Sequence, residues 1–213
     1  MSELQTKLPI DTWVVATWDE YIQAIEDPIY EKAKAYYHSG HLRIEMTPLG
    51  HDHACDNTII AFAINLFCSL KSIPVKGLTN CTYRKTGYQE AQPDVSYYID
   101  ENVDAVPWGT SVINLDNYPP PDLVIEVANT SLADDKGEKR LLYEELKVGE
   151  YWIVDVQNVQ IIAFAVADGG SKRITQSQVL QELAISVLEE ALRRTRQMNQ
   201  AQVGAWLLAQ FQQ

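Results

Sequence analysis

Hydrophobic and polar positions along the first half of the chain predict helices and strands in mixed order. The most apolar run, Asn57 to Leu70, is about fourteen residues long, and this length favours a buried helix over a strand. Runs rich in strand-forming residues follow at 81–88, 95–99 and 122–127. A polar stretch at 100–121 separates the last two runs, and we expect it to be a loop.

The second half begins with a charged segment that predicts one helix from Ser131 to Val148. Strand signals at 151–154 and 161–166 predict a hairpin, and they stop near residue 178, where helical periodicity begins. Strands that occur both before and after helices indicate an α/β or α+β class. We expect a single domain over residues 1–183, with its core at about 13–183, and a helical C-terminal extension over 184–213.

The chain carries 17 basic and 29 acidic residues, for a formal net charge of −12. This balance disfavours a general polyanion-binding protein, whose surface would be basic. Two segments nevertheless contain basic residues and no acid, namely 57–89 and 191–213. They are either patches that face phosphate groups or scattered charges that favour solubility.

Three cysteines, Cys55, Cys68 and Cys81, form no C-x-x-C pair, which argues against a disulfide framework and against a structural zinc site. The first ten residues lack a basic segment followed by an apolar one, so we expect no signal peptide. No run reaches about 18 apolar residues, so we expect no membrane span. Together these features predict a cytoplasmic protein.

Two acidic residues occupy unusual positions in apolar surroundings. Glu126 lies inside the run LVIEV, where a carboxylate is costly unless it is paired, protonated or bound to a metal ion. The period of two in a strand places Glu126 on the face of Asp122 and Ala128, and the opposite face then belongs to the core. Asp94 follows Pro93 and opens another apolar strand. The alternatives are an ion pair for Glu126 and a turn position for Asp94.

Lys139 lies thirteen residues after Glu126 in the charged helix, and it shares a helix face with Tyr143. If that helix packs across the strand, its ammonium group would point at the acids. A cation there would orient an attacking water molecule or stabilise charge on a phosphoryl oxygen. The alternative is an ordinary solvated lysine.

Several segments resemble one known family. Pro93 with Asp94, then PDLVIEV at 121–127 and DDKGEKRLLYEELKVGEYWIVD at 134–155, are similar to the Uma-type endonuclease family. That family is placed in the restriction-endonuclease-like PD-(D/E)XK nuclease superfamily, and the resemblance covers about residues 13–183. It implies a restriction-endonuclease-like α/β core, in which a central mixed β-sheet is flanked by helices, followed here by a helical tail.

The resemblance also implies a metal site. Asp94 corresponds to the motif aspartate and Glu126 to the motif glutamate of the next strand. Together with the backbone carbonyl of Val127, they would hold one or two Mg²⁺ or Mn²⁺ ions. Oxygen ligands of this kind suit such hard cations.

The chain departs from the superfamily pattern at the lysine, because Ala128 stands two residues after the motif glutamate. The resemblance implies that Lys139, in a D-x-x-x-K pattern after Asp135, takes that role. Two supporting residues are also candidates. Glu45 would be an additional acid, or else an exposed strand residue. His53 would contact phosphate or assist proton transfer, or else be a polar residue at a helix start.

The expected reaction is metal-dependent hydrolysis of phosphodiester bonds, with DNA as substrate. We hypothesise a homodimer, since enzymes that cut duplex DNA often use two sites. The apolar stripe of the tail would form its interface or simply pack on the core; it comprises Val203, Trp206, Leu207 and Phe211. Two other functions stay open, a non-catalytic module that binds nucleic acid or a protein, and a hydrolase of small phosphate esters.

Overall fold

The computed structural model describes residues 8–46 and 50–212. Residues 1–7, on which most of the signal-peptide expectation rests, lie outside the described residues. Within the described ranges the helices are α1 Trp18–Ile25, α2 His51–Lys71, α3 Leu132–Lys136, α4 Glu138–Glu145, α5 Ile185–Thr195 and α6 Gln200–Phe211. The strands are β1 Val14–Val15, β2 Lys34–His38, β3 His41–Glu45, β4 Val75–Thr79, β5 Thr82–Lys85, β6 Gln89–Ala91, β7 Val95–Ile99, β8 Val112–Asn114, β9 Leu123–Ala128, β10 Glu150–Asp155, β11 Gln160–Ala167 and β12 Gly170–Ile174.

The strands form two six-stranded sheets. The first sheet has the order β1-β3-β2-β6-β5-β8, and the second has the order β12-β11-β10-β9-β7-β4. Each sheet is mixed, with β5 parallel to β8 in the first and β9 parallel to β10 in the second. The predicted α/β class with a mixed sheet and flanking helices is confirmed. The division into two sheets was not predicted, and β8 lies inside the segment expected to be a loop.

Strand β9 lies inside the second sheet, and all six of its residues are buried. Leu123, Ile125 and Val127 pack into an apolar core with α2, α5 and α6. Val124 and Ala128, on the other face, pack with residues of α4 and of the first sheet. The expectation that only one face of this strand belongs to the core was wrong, because helices and the first sheet cover both faces.

Helix α2 is longer than its apolar run, since it begins at His51. Among the described residues it is the one helix long and apolar enough to cross a membrane, with a mean hydropathy of 1.2 over 18 residues. Asp52, Asp56 and Asn65 interrupt its apolar residues, so no run of 18 apolar residues occurs, and the expectation of no membrane span stays a prediction. The inner side of α2 packs against the second sheet, α5 and α6, and 44% of the apolar window is buried. Core helices meet the same criteria, so length and hydropathy are weak evidence for a span.

The charged segment forms two helices instead of one, because the chain turns at Gly137 between α3 and α4. A Cβ atom at Gly137 would lie 3.1 Å from the carbonyl oxygen of Ala133, which is closer than most Cβ contacts in proteins. Glycine therefore permits the tight turn. Asp135 and Lys139 lie on opposite sides of this turn, and their side chains form an ion pair at 3.1 Å.

The C-terminal helices pack against α2. Val203, Leu207 and Phe211 of the tail stripe are buried in the apolar core, and Trp206 is partly buried against it. The stripe therefore covers the core and is not available as a dimer interface. The homodimer and the domain boundary at residue 183 stay predictions.

Candidate active site

One cavity of about 620 Å³ is lined by residues of both sheets, of α4 and of the first turn of α2. All five side chains selected from the sequence line this cavity, and so does Val127; the five are Glu45, His53, Asp94, Glu126 and Lys139. They come from segments up to 94 residues apart, counting from 45 to 139. The structure brings the predicted site together, while the role of each residue stays a prediction.

Asp94 lies directly before β7, which pairs antiparallel with β9. Its carboxylate is buried, with 3% of the residue exposed. One oxygen, Oδ2, accepts a hydrogen bond from the backbone N–H of Val127 at 2.7 Å and lies 3.2 Å from His53 Nε2. The other oxygen, Oδ1, forms an ion pair with the ammonium group of Lys34.

These partners decide the charge of Asp94. Burial by itself would raise the pKa of this carboxyl group. The hydrogen bond with His53 and the nearby Lys34 ammonium outweigh burial and hold the pKa well below its usual value. Asp94 is therefore ionised across the physiological pH range.

Glu126 has different surroundings, although it lies on the neighbouring strand. Its Oε1 accepts a hydrogen bond from Tyr143 Oη at 2.7 Å and lies 3.2 Å from Tyr36 Oη. The hydroxyl of Tyr36 also lies 2.9 Å from the carbonyl oxygen of Gln92, and its single proton serves one acceptor at a time. Both contacts of Tyr36 are hydrogen bonds at once only when Glu126 carries a proton.

The pKa of Glu126 agrees with this geometry. Burial, to which the charge of Asp94 adds, raises the pKa to about 8, and the opposing effect of Lys139 is too small to reverse it. At neutral pH the Glu126 carboxyl is therefore largely protonated in the absence of a further cation.

Lys139 is almost fully buried, with 1% of the residue exposed. Its Nζ lies 2.9 Å from Glu45 Oε1, 3.1 Å from Asp135 Oδ1 and 3.9 Å from Glu126 Oε1. Burial would lower the pKa of Lys139, but these three acids raise it above the usual value. The side chain is thus a fixed cation close to Glu126, whereas Ala128 is buried in the apolar cluster beside Tyr143.

Glu45 and His53 complete the predicted set. Glu45 is not the exposed strand residue of the alternative interpretation, because it bonds to Arg43 Nε at 2.7 Å and to Lys139. Burial would raise its pKa, but Lys139 and Arg43 lower it. His53 is buried in the first turn of α2, and its Nδ1 has no hydrogen-bond partner within the described part of the chain. That nitrogen is closed to solvent, whereas Nε2 of the same ring lies 3.2 Å from Asp94 Oδ2.

Three residues at or beside the cavity were not predicted to have a role there. Lys34 and Tyr36 lie on β2, a strand that was not predicted, and they contact Asp94 and Glu126 respectively. Asp135 was noted only as part of a spacing, yet it is fully buried and holds Lys139. The alternation of KAYYH was the available signal, since β2 places Lys34 and Tyr36 on one face.

The basic segments selected from the sequence are largely neutralised. Most of their basic side chains form ion pairs, and the pairs are Lys71–Glu182, Lys76–Asp104, Arg84–Glu90, Arg193–Glu190, Arg194–Glu190 and Arg196–Asp56. This arrangement favours scattered surface charges over dedicated phosphate-binding patches.

The donor set at the cavity suits a hard divalent cation, because the carboxyl groups of Glu45, Asp94 and Glu126 line it. The cation closest to the buried Glu126 carboxyl group is 3.9 Å away, so a bound cation would supply positive charge that this group lacks. In the described arrangement Lys34 and His53 contact Asp94, and no group of three His, Cys, Asp or Glu residues is set to hold a metal ion. The chemistry fits, but binding would require a rearrangement at Asp94.

Comparisons with known proteins show a family to which the sequence belongs and a solved structure with a similar fold. A family model named Uma2, described as "Putative restriction endonuclease", matches residues 18–201, which include every predicted site residue. A solved structure of "a putative nuclease belonging to DUF820" from Anabaena variabilis is similar to the chain, with a TM-score of 0.55 and 16% identity. The alignment covers 90% of this chain and 99% of that chain. At this identity the similarity concerns the fold. No curated protein matches the sequence.

Proposed function

The chain belongs to the Uma2 family of restriction-endonuclease-like proteins, and from this membership we propose that it is a Mg²⁺- or Mn²⁺-dependent endonuclease that hydrolyses phosphodiester bonds in DNA. We further propose that it acts in the cytoplasm. One observation supports the activity most strongly. Two buried acids on adjacent strands, Asp94 and Glu126, line the same cavity as a buried lysine whose Nζ is 3.9 Å from Glu126. An apolar core has no structural need for this combination.

Asp94, Glu126 and the backbone carbonyl of Val127 would hold the cation. When bound, the cation would polarise a phosphoryl oxygen and lower the pKa of a coordinated water molecule. Glu126 would contribute its full charge only after losing its proton. The neighbouring cation Lys139 favours that loss.

Lys139 would stabilise negative charge on the phosphate in the transition state. Its pKa is raised by three acids, so it stays protonated and is unsuited to act as a general base. Glu45 and Asp135 would hold the ammonium group in place, since they lie 2.9 and 3.1 Å from it. His53 lines the cavity beside Asp94, where it would contact a phosphate oxygen or assist proton transfer.

The net charge of −12 argues for weak binding to DNA, or for docking through a partner, instead of tight non-specific binding. Because most basic side chains of segments 57–89 and 191–213 form ion pairs, we expect only a modest dependence of binding on salt. Cleavage assays should therefore use high protein concentration.

The test is cleavage of plasmid and single-stranded DNA with Mg²⁺ or Mn²⁺. We expect Asp94→Asn, Glu126→Gln and Lys139→Met each to reduce the rate by about 100-fold or more, the scale of losing one transition-state contact. Asp104→Asn is the matched control, because this exposed acid pairs with Lys76 outside the cavity. Cleavage that persists in the three variants would point to a contaminating nuclease and contradict the assignment.

The same assay addresses the two other functions. DNA binding without cleavage, together with no metal binding by calorimetry, would support a non-catalytic module. Hydrolysis of a small phosphate monoester, with DNA left intact, would support a phosphatase-like enzyme on the same scaffold.

A further inference from the structure

A second buried lysine, Lys34, faces the cavity from the first sheet. It lies on β2 with 7% of the residue exposed, and its ammonium group forms an ion pair with Asp94 Oδ1. Its situation differs from that of Lys139. Three acids hold Lys139, whereas Lys34 is paired with Asp94, the acid that the proposed function assigns to the cation.

The three partners of Asp94 differ in their freedom to move. The N–H of Val127 belongs to the backbone of a buried strand, and His53 is fixed in the first turn of α2. Lys34 holds the carboxylate through a flexible four-carbon chain. When another cation approaches, Lys34 is the partner that gives way most easily.

The structure also provides a place for the displaced ammonium group. Lys34 lines the 620 Å³ cavity, so its side chain has open space beside it. Glu45 is its direct partner across the β2–β3 pair, which puts the two Cβ atoms about 5 Å apart on one face of the sheet. Lys34 can therefore leave Asp94 while its charge stays near a carboxylate.

We propose that Lys34 is an internal counter-ion that occupies Asp94 until a divalent cation replaces it, and that Lys34 thereby sets the affinity of the site for the cation. This inference rests on the proposed function. A buried carboxylate without a positive neighbour is costly, so Lys34 stabilises the cation-free protein. Two cations at contact distance of one oxygen repel each other strongly in a buried site, so the two states exclude each other.

The experiment measures Mn²⁺ binding by calorimetry to the wild-type chain and to Lys34→Gln, Lys34→Arg and Lys76→Met. Glutamine keeps a hydrogen-bond donor but removes the competing charge, and we expect Mn²⁺ to bind about tenfold more tightly, because it no longer has to displace a buried cation from Asp94. Arginine keeps the charge, so its affinity should stay near the wild-type value. Lys76→Met is the control for removing a lysine outside the cavity.

The outcomes separate this inference from the proposed function. If the wild type binds Mn²⁺ clearly and Lys34→Gln binds it equally or more weakly, the counter-ion role of Lys34 is wrong. The proposal of a metal-dependent nuclease is then unaffected. No Mn²⁺ binding by any of the four proteins overturns both. If Lys34→Gln is unfolded without metal, refolding on addition of Mn²⁺ supports the exchange, and failure to refold overturns it.

Discussion

Asp94, which directly precedes β7, and Glu126, on the neighbouring strand β9, are almost equally buried, yet their surroundings are opposite. Asp94 is surrounded by donors, namely the Lys34 ammonium group, the His53 ring and the N–H of Val127. Glu126 has tyrosine hydroxyls as its nearest partners, and its closest cation is 3.9 Å away. Burial raises the pKa of both groups, and only around Asp94 do the hydrogen bond with His53 and the Lys34 ammonium group reverse that effect.

The difference shows that burial alone does not decide the charge of a carboxyl group. Asp94 is ionised, and Lys34 neutralises its charge. Glu126 is largely protonated and would ionise when a further cation binds beside it. A site built in this way can fold without a cation, because neither acid is left as an uncompensated buried charge. Three predictions follow from this contrast, in order of decreasing effect.

The largest effect concerns Asp94 and protein stability. We expect Asp94→Ala to lower the free energy of unfolding by about 3–5 kcal/mol at pH 7, because it leaves the buried Lys34 unpaired. Glu126→Gln should cost less than about 1 kcal/mol, since the amide replaces a largely protonated carboxyl. Urea unfolding without divalent cations measures both values, and similar losses in the two variants would contradict the contrast.

The second effect concerns pH. The native pKa of Glu126 is about 8 against an ordinary value of 4.5, so the native state holds a proton that the unfolded state releases between these pH values. The Glu126 contribution to stability is thus full below about pH 4.5 and is lost as the pH rises to about 8, with a slope on the order of 1 kcal/mol per pH unit. The free energy of unfolding is measured for the wild type and for Glu126→Gln at pH 5, 6, 7 and 8. The difference between the two proteins, plotted against pH, gives this slope.

Asp94 does not interfere in that window. Its lowered pKa contributes stability that is present above its unfolded pKa, near 4, and is lost only at lower pH. Parallel curves for the two proteins between pH 5 and 8 would show that Glu126 is ionised in the native state.

The smallest effect concerns the hydroxyl that contacts Glu126 most closely. We expect Tyr143→Phe to cost about 1 kcal/mol, and a double-mutant cycle with Glu126→Ala to give a coupling energy of similar size. Tyr98→Phe is the control, because its hydroxyl bonds to the carbonyl oxygen of Pro119 instead. A Tyr143 coupling energy no larger than that of Tyr98 would show that the Tyr143 hydroxyl does not stabilise Glu126.

Local patterns predicted the parts of the fold that short-range chemistry decides. The run LVIEV gave strand β9, and the long apolar run gave helix α2. The resemblance added the assignment of Asp94 and Lys139, and the structure places both beside the same cavity as Glu126.

Other features depend on partners distant in sequence and could not be predicted. Lys34 and Asp94 are 60 residues apart, and neither residue carries a local sign of the other. The turn at Gly137 was hidden in a charged helical pattern, because only the close approach of a carbonyl oxygen makes a side chain costly there. Likewise, buried Asp56 on α2 is paired with Arg196, 140 residues later.

The separation between Asp56 and Arg196 affects folding during synthesis, because α2 is synthesised long before the helices that cover it. Helix α2 ends at Lys71, and the helix that completes its cover ends at Phe211. At about 5–20 residues per second, the ribosome completes α6 on the order of 10 s after it completes α2. During that interval α2, the one described helix with the length and hydropathy of a membrane span, lacks its final partners. We therefore expect chaperones that bind exposed apolar segments to associate with the nascent chain until α6 covers the active-site helix α2.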